Sequence, residues 1–71
     1  MRRHGVRVKF RDLVSRLRDE GCVFVRHGIG HDLYRNVITG KQEAVPRHAE
    51  VKEFTARSII RRLSTPLYDE E

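Results

Sequence analysis

Hydrophobic residues recur with helical spacing in two stretches of the chain. In the first stretch, apolar residues at positions i, i+3, i+4 and i+7 form one face of a helix: Phe10, Leu13, Val14 and Leu17. Asp12 falls in the first turn, where a negative charge is favourable, and Gly21 is typical of the residue that follows a helix end. The pattern predicts an amphipathic helix that stops at Gly21 and turns several arginines outward.

The second stretch, nearer the C-terminal end, carries a stripe of the same kind: Ala56, Ile59, Ile60 and Leu63. Thr55 is the predicted N-cap of this second helix, and residues 47–52 before it are predicted to be a polar connection. Pro66 is predicted to stop the helix, because a proline disfavours helical geometry at the residue before it, Thr65.

Three short segments between the helices have the composition of strands: Cys22–Arg26, His31–Asn36 and Gln42–Val45. We expect the first strand to be buried on at least one face, and a turn at residues 39–41 to separate the second strand from the third. Pro46 must end the third strand or lie on a sheet edge, because it has no N–H. The predicted order is α-β-β-β-α. This is an α+β fold with a three-stranded antiparallel sheet, two helices on one face and the other face open.

The size and charge of the chain limit what it can bind. With 71 residues it is one domain, predicted to span residues 9–64 between a basic arm, 1–8, and an acidic tail, 65–71. A chain of this size buries only about 60% of its unfolded surface, so a substrate is expected on an open face rather than in a deep cleft. Fifteen basic against ten acidic residues give a net charge of +5, which favours nucleic acid as the partner.

The single cysteine, Cys22, excludes a disulfide framework within the chain and is predicted to be a buried free thiol. The longest apolar run, 22–25, is far too short to span a membrane. The start of the chain has basic residues but lacks the apolar region of a signal peptide. We therefore expect a cytoplasmic protein without a membrane segment.

A glycine-containing loop leads into a histidine at the start of the second predicted strand. Gly28 and Gly30 allow backbone conformations that other residues avoid and allow a ligand to approach closely. His31 follows, and histidine is the side chain that exchanges a proton near neutral pH without help from its surroundings. In a small basic domain this arrangement suggests phosphate or RNA chemistry. The alternative is a hairpin-loop histidine with no chemical role.

Strand geometry groups further residues around this histidine. His31, Leu33 and Arg35 share one face of the predicted strand, so Arg35 is a candidate to hold a phosphate, as are the backbone amides of Gly28 and Gly30. RNA supplies its own nucleophile, the 2′-OH. A ribonuclease therefore needs no metal or cofactor if it moves protons and stabilises the phosphate.

Other basic residues are weaker candidates. His27 is either a second acid or base or a solvated residue at a strand end. Arg26 and Arg11 are candidate RNA-binding residues, although the arginines of the first helix fit a solvated surface equally well. The four histidines and Cys22 form neither a CxxC motif nor a helical histidine pair, so no zinc site is predicted.

Four pieces of the chain follow one another in a fixed order. They are the first helix with its closing glycine, the glycine loop with its histidine, a Val-Pro-Arg-His motif and the closing helix: residues 10–21, 25–34, 45–48 and 56–63. In this order they resemble the HicA family of small RNA-cleaving toxins from bacterial toxin–antitoxin pairs. Together they cover about residues 9 to 64. The resemblance implies a fold similar to the double-stranded-RNA-binding domain, in agreement with the predicted element order.

The resemblance also implies a function. The chain would be an endoribonuclease toxin, an mRNA interferase, with His31 as the catalytic acid–base and a HicB-type antitoxin as its inhibitor, and with a homodimer within the complex as a further expectation. The commonest family loop is Gly-Ser-His, whereas Ile29 and Gly30 precede the histidine in this chain. Arg47 and His48 belong to the shared motif without an assigned role. For His48 we favour a local structural contact over a contact to RNA or antitoxin.

Two other functions fit the same sequence. The first is a non-catalytic RNA-binding module of this fold. A loop histidine that transfers protons would distinguish a ribonuclease from such a module, which has no need of one. The second is a small DNA-binding or ribosome-associated protein. Against it, the two helices are separated by the whole sheet, so no helix-turn-helix is visible.

Overall fold

A computed structural model describes residues 6–64 of the chain. In chain order its elements are β1 (Arg7–Lys9), α1 (Phe10–Asp19), β2 (Cys22–His27), β3 (His31–Asn36), β4 (Gln42–Pro46), β5 (Glu50–Lys52) and α2 (Glu53–Leu63). Strands β2, β3 and β4 form an antiparallel sheet in that order, while β1 and β5 pair antiparallel in a second, two-stranded sheet. The predicted α+β architecture, with its α-β-β-β-α core, is confirmed.

The two-stranded sheet was not predicted. Strand β1 begins within the segment assigned to the basic arm, and β5 lies within the segment assigned to a polar connection. Val8 pairs with Val51 at the centre of this sheet, and Val51 is buried. Residues 1–5 of the arm and the whole acidic tail, 65–71, lie outside the described residues.

Both helices turn their predicted stripes toward the core, with Phe10 and Ile60 only partly buried. In α1 the buried residues are Leu13, Val14 and Leu17, and Gly21 follows the helix with a φ of 91°, in the left-handed region that favours glycine. Helix α2 starts earlier than expected. Its N-cap is Lys52 and its first residue is Glu53, so the prediction of Thr55 as N-cap is wrong. Strand β5 passes directly into the helix, which leaves no turn for a capping side chain.

The core lies between the helices and one face of the three-stranded sheet. Along β3 the burial alternates, so that Asp32, Tyr34 and Asn36 face the helices while His31 and Arg35 are exposed on the other face. The core side chains come from both helices and from four strands: Leu13, Val14, Leu17, Cys22, Tyr34, Val45, Val51, Ala56, Ile59 and Leu63.

Strand β2 is less buried than predicted. It lies at a sheet edge, and Cys22 is its only buried residue, whereas Val23 and Phe24 are each more than 40% exposed. Its pairing with β3 shifts register between Phe24 and Arg26. Pro46, as expected, ends β4, the strand at the other edge of the sheet.

One buried amide connects the ends of both helices to the β3–β4 turn. The Nδ2 of Asn36 donates to the carbonyl oxygens of Glu20, at 3.1 Å, and Leu63, at 2.6 Å. Its Oδ1 accepts from the backbone N–H groups of Ile38 and Thr39. This side chain therefore donates to a backbone carbonyl at the C-terminal end of each helix, where intrahelical hydrogen bonds run out.

The helices of the described segment are short. They have 10 and 11 residues, and neither is long and apolar enough to cross a membrane.

Candidate active site

The glycine loop between β2 and β3 is closed by backbone hydrogen bonds. The Gly28 N–H donates to the carbonyl oxygen of His31 at 2.6 Å, and the Arg47 N–H donates to that of Gly30 at 3.0 Å. Gly30 has a φ of 72°, in the left-handed region, whereas Gly28 does not lie in that region. The Gly28 amide, a predicted phosphate contact, is thus engaged within the loop in this conformation.

His31 is exposed at the mouth of this loop, and one of its ring nitrogens is fixed. Its Nδ1 lies 2.8 Å from the carbonyl oxygen of Ile29. Because a carbonyl can only accept, Nδ1 carries the hydrogen, and Nε2 of the neutral ring is left with a lone pair that can accept a proton. The backbone of the loop therefore selects the tautomer of the candidate acid–base.

The open face of the sheet brings two predicted arginines to the same side as His31. Arg35 follows two residues later in β3, and its Nη1 donates to the Gln42 side chain across the sheet at 3.4 Å. Arg26 lies directly opposite Leu33, and such cross-strand partners project to the same side of a sheet. All of these side chains except the half-buried Leu33 are exposed. His31 thus stands on a face that neither helix of residues 6–64 covers and that carries two positive charges.

Arg11 does not join this group. It lies on α1, which packs on the opposite face of the sheet, and its side chain pairs with Asp12 at 3.6 Å while remaining 80% exposed. The helix surface and the His31 face are therefore two separate basic surfaces.

His27 also lies away from His31. Its Nδ1 is 2.7 Å from Oδ1 of Asp32, and its ring packs against Phe24 with 4.8 Å between centroids. Asp32 follows His31 directly in β3, so the side chains of Asp32 and His31 point to opposite faces of the sheet. His27, which contacts Asp32, therefore lies on the face opposite His31. The two histidines border the same loop but open onto different faces.

Asp32 is the functional candidate that the sequence reasoning missed. Its side chain is only 6% exposed, and it accepts hydrogen bonds from His27 and from Arg47, whose Nη1 lies 2.9 Å from the carboxylate. Burial alone raises the pKa of Asp32, but these hydrogen bonds and the neighbouring charges outweigh it, so the pKa is lowered from its usual value. The ionised carboxylate is therefore held through its Oδ1 by two donors, one from His27 and one from Arg47.

Arg47 also reaches the loop itself. Its Nη1 lies 3.4 Å from the carbonyl oxygen of His31 and 3.5 Å from that of Gly28. The signal for this cluster was present in the shared Val-Pro-Arg-His motif, but spacing along the chain does not show which side chain the arginine meets. The pairing of His31 with Pro46 brings the motif to the loop.

His48, the next motif residue, behaves differently. It is exposed and makes no hydrogen bond within residues 6–64, so the local contact expected for it is not seen there. It borders a shallow groove of about 310 Å³ whose other lining residues include Arg7, Pro46 and Lys52. No three His, Cys, Asp or Glu side chains of the described segment are placed to hold a metal ion.

Comparison with known proteins found no relative of this chain. No model of a protein family, no curated protein and no solved structure matches it. The resemblance to the HicA toxins therefore rests on residues 10–21, 25–34, 45–48 and 56–63 alone.

Proposed function

We propose that this chain is an endoribonuclease that cleaves mRNA with His31 as its acid–base. The observation that supports this most directly is the state of the His31 ring. Its Nδ1–H is tied to Ile29 and its Nε2 is left to accept a proton, on a face shared with Arg26 and Arg35.

The reaction needs two proton transfers and stabilisation of charge on the phosphate. The 2′-OH attacks the adjacent phosphorus and gives its proton to Nε2 of His31, so that the O2′–P bond forms. The P–O5′ bond then breaks, and the leaving 5′-oxygen takes the proton from the imidazolium. Arg26 and Arg35 offset the negative charge of the phosphate oxygens during both steps. A positioned acid–base of this kind contributes typically about 10²–10⁴-fold in rate.

The shape and charge of the face suit a polymer. The His31 face is one side of a three-stranded sheet with no helix covering it in the described segment, so an extended strand can lie across it. The chain carries a net charge of +5, which attracts the phosphate backbone at long range.

The biological role follows from the resemblance. We infer that the chain is the toxin of a toxin–antitoxin pair, acting on mRNA in the cytoplasm, and that a HicB-type antitoxin inhibits it, with a homodimer as one form of the complex. An inhibitor of a basic enzyme gains from presenting acidic groups. We expect it to cover the exposed arginines beside His31.

The first test is RNA integrity after the chain is induced alone in a bacterial host. Wild type is compared with His31→Ala and with His48→Ala, a matched loss of an exposed histidine. We expect RNA cleavage and growth arrest with wild type and with His48→Ala. With His31→Ala we expect the rate of RNA cleavage to fall by at least about 10²-fold. Thermal melting should be unchanged in both variants, because neither side chain is buried.

Two results would contradict this function. If His31→Ala unfolds, the histidine is structural. If RNA stays intact with wild type and a gel shift shows tight RNA binding, the chain is a non-catalytic RNA-binding module that uses the same basic face.

A further inference from the structure

Arg47 contacts the glycine loop through both its backbone and its side chain. Its backbone N–H donates to the Gly30 oxygen, and its guanidinium lies against the carbonyl oxygens of Gly28 and His31. These contacts join the end of β4 to both sides of the loop. A loop held in this way has few conformations of its own.

Asp32 fixes the guanidinium in place. The carboxylate is buried and accepts from Arg47 at 2.9 Å and from His27 at 2.7 Å. Removing the partner of a buried carboxylate is costly, because it leaves that charge without compensation. The Arg47 side chain, 42% exposed, is therefore held against Asp32 and the loop carbonyls rather than moving in solvent.

The same loop determines the orientation of the His31 ring. Nδ1 of His31 is bonded to the carbonyl oxygen of Ile29, the residue between the two glycines. The direction of the Ile29 carbonyl depends on the backbone conformation of Gly28 and Gly30. Arg47 contacts the carbonyl oxygens of both glycines. A continuous set of contacts thus runs from Asp32 through Arg47 and the loop to the imidazole.

We propose that Arg47 is a positioning residue that, anchored by Asp32, holds the glycine loop in the conformation that orients the His31 ring. Its effect on catalysis rests on the proposed ribonuclease function, whereas its effect on the loop does not. Arg47 does not touch the reacting atoms and acts only through the backbone that holds His31.

A direct phosphate contact is the competing role for an exposed arginine. The side-chain contacts of Arg47 all use Nη1, which is shared among the Asp32 carboxylate and two carbonyl oxygens, so a phosphate would have to be held by Nε or Nη2. The two roles also have different kinetic signatures. Loss of a phosphate contact raises KM and lowers the salt dependence, while loss of positioning lowers kcat.

The loop can be tested without RNA. NMR of the free protein reports the tautomer of His31 through its ring nitrogens, and the protection of the Gly28 N–H through hydrogen exchange. We expect Arg47→Ala to lose the Nδ1–H preference and to speed exchange at Gly28 by at least about tenfold. Arg57→Ala, which removes an exposed arginine of α2, should leave both signals unchanged.

Two further variants guard against a misfolded Arg47→Ala. Arg47→Lys keeps the charge but not the planar donor group, so it should restore the loop signals only in part. Asp32→Asn keeps the size of the side chain but removes the charge that anchors Arg47. It should therefore change the His31 tautomer and the exchange at Gly28 in the same direction as Arg47→Ala. Unchanged loop signals in all three folded variants would overturn the proposal.

Kinetics complete the test if the wild type cleaves RNA. We expect Arg47→Ala to lower kcat by about tenfold to a hundredfold with KM nearly unchanged, and Arg47→Lys to recover part of the loss. A raised KM with unchanged kcat would make Arg47 an RNA contact and overturn the proposal. If the wild type does not cleave RNA, the proposed function fails, and the NMR comparison still decides whether Arg47 positions the loop.

Discussion

The imidazole of His27 and the carboxylate of Asp32 meet across the β2–β3 pair, with 2.7 Å between Nδ1 and Oδ1. A buried carboxylate that orients a histidine is a familiar arrangement in hydrolytic sites. In this protein it occurs on the helix side of the sheet, whereas Arg35 lies with His31 on the open side. The histidine that a carboxylate orients is thus not the one that shares the open face with Arg26 and Arg35.

This separation predicts that the two histidines differ in mutants. Removal of an acid–base lowers the cleavage rate by roughly 10²-fold or more, and we expect His31→Ala to show a loss of this size. His27→Gln keeps a hydrogen-bond donor for Asp32, and we expect it to lower the cleavage rate far less. Initial rates of RNA cleavage at saturating substrate measure both. Equal losses would instead identify His27 as the second acid or base.

Asp32 predicts how stability depends on pH. Hydrogen bonds and charges from His27 and Arg47 lower its pKa against the opposing effect of burial. A carboxyl with a lowered native pKa stabilises the fold above its unfolded value of about 3.9, and this contribution is lost as pH falls through the native pKa. The free-energy gap between wild type and Asp32→Asn should therefore be large near neutral pH and shrink in acid.

Urea unfolding at a series of pH values checks this. Asp12→Asn is the control, because that carboxylate is 62% exposed in the first turn of α1. The difference in free energy of unfolding between Asp12→Asn and wild type should be small at every pH. A gap for Asp32→Asn that does not change with pH would show that its ionisation does not stabilise the fold.

The two loop glycines should respond differently to alanine. At Gly30 the φ of 72° makes an added Cβ strained by about 1–2 kcal/mol, although no atom obstructs it. At Gly28 an added Cβ would meet the His31 oxygen at 3.5 Å, an ordinary contact. We expect Gly30→Ala to lower both stability and cleavage and Gly28→Ala to lower stability much less, as melting and RNA assays can show. The reverse order would mean that the loop adopts another conformation.

Asn36 is predicted to be the most sensitive polar residue of the described sheet. It is fully buried and satisfies carbonyls of Glu20 and Leu63. Asn36→Ala removes the amide that donates to both carbonyls and the oxygen that accepts from two backbone N–H groups of the β3–β4 turn, and we expect a loss of about 2–3 kcal/mol in the free energy of unfolding. Thr39→Ala, which removes an exposed hydrogen bond of the same turn, should cost less than about 1 kcal/mol. Similar losses in denaturant unfolding would contradict this assignment.

Cys22 should be unreactive in the native protein. It is 2% exposed, its thiol approaches the Leu63 carbonyl oxygen at 3.8 Å, and burial, followed by the charge of Glu20, raises its pKa. Because the thiolate is the reactive form, a colorimetric thiol reagent should label it only as the protein unfolds. Rapid labelling without urea would show that α2 detaches easily from β2.

Much of the fold could be predicted because its signals are local. The apolar stripes of α1 and α2 repeat over two turns, and Gly21 and Gly40 mark places where the chain needs a positive φ. Strands β1 and β5 were missed, since each has three residues and a single central valine, Val8 or Val51, which is too short to show a period. The early start of α2 was missed for a related reason. Lys52 is both the last residue of β5 and the N-cap of the helix, so no turn separates the two elements.

The sequence by itself determined the α+β order and placed His31 with Arg35 on one face, because side chains alternate in any strand. Only the tertiary structure decided what surrounds the loop. Asp32 meets Arg47, fifteen residues later, because the register of β3 on β4 brings Pro46 opposite His31. Such a meeting depends on which strands pair and in what register, and hydrophobic spacing along a single strand does not contain that information.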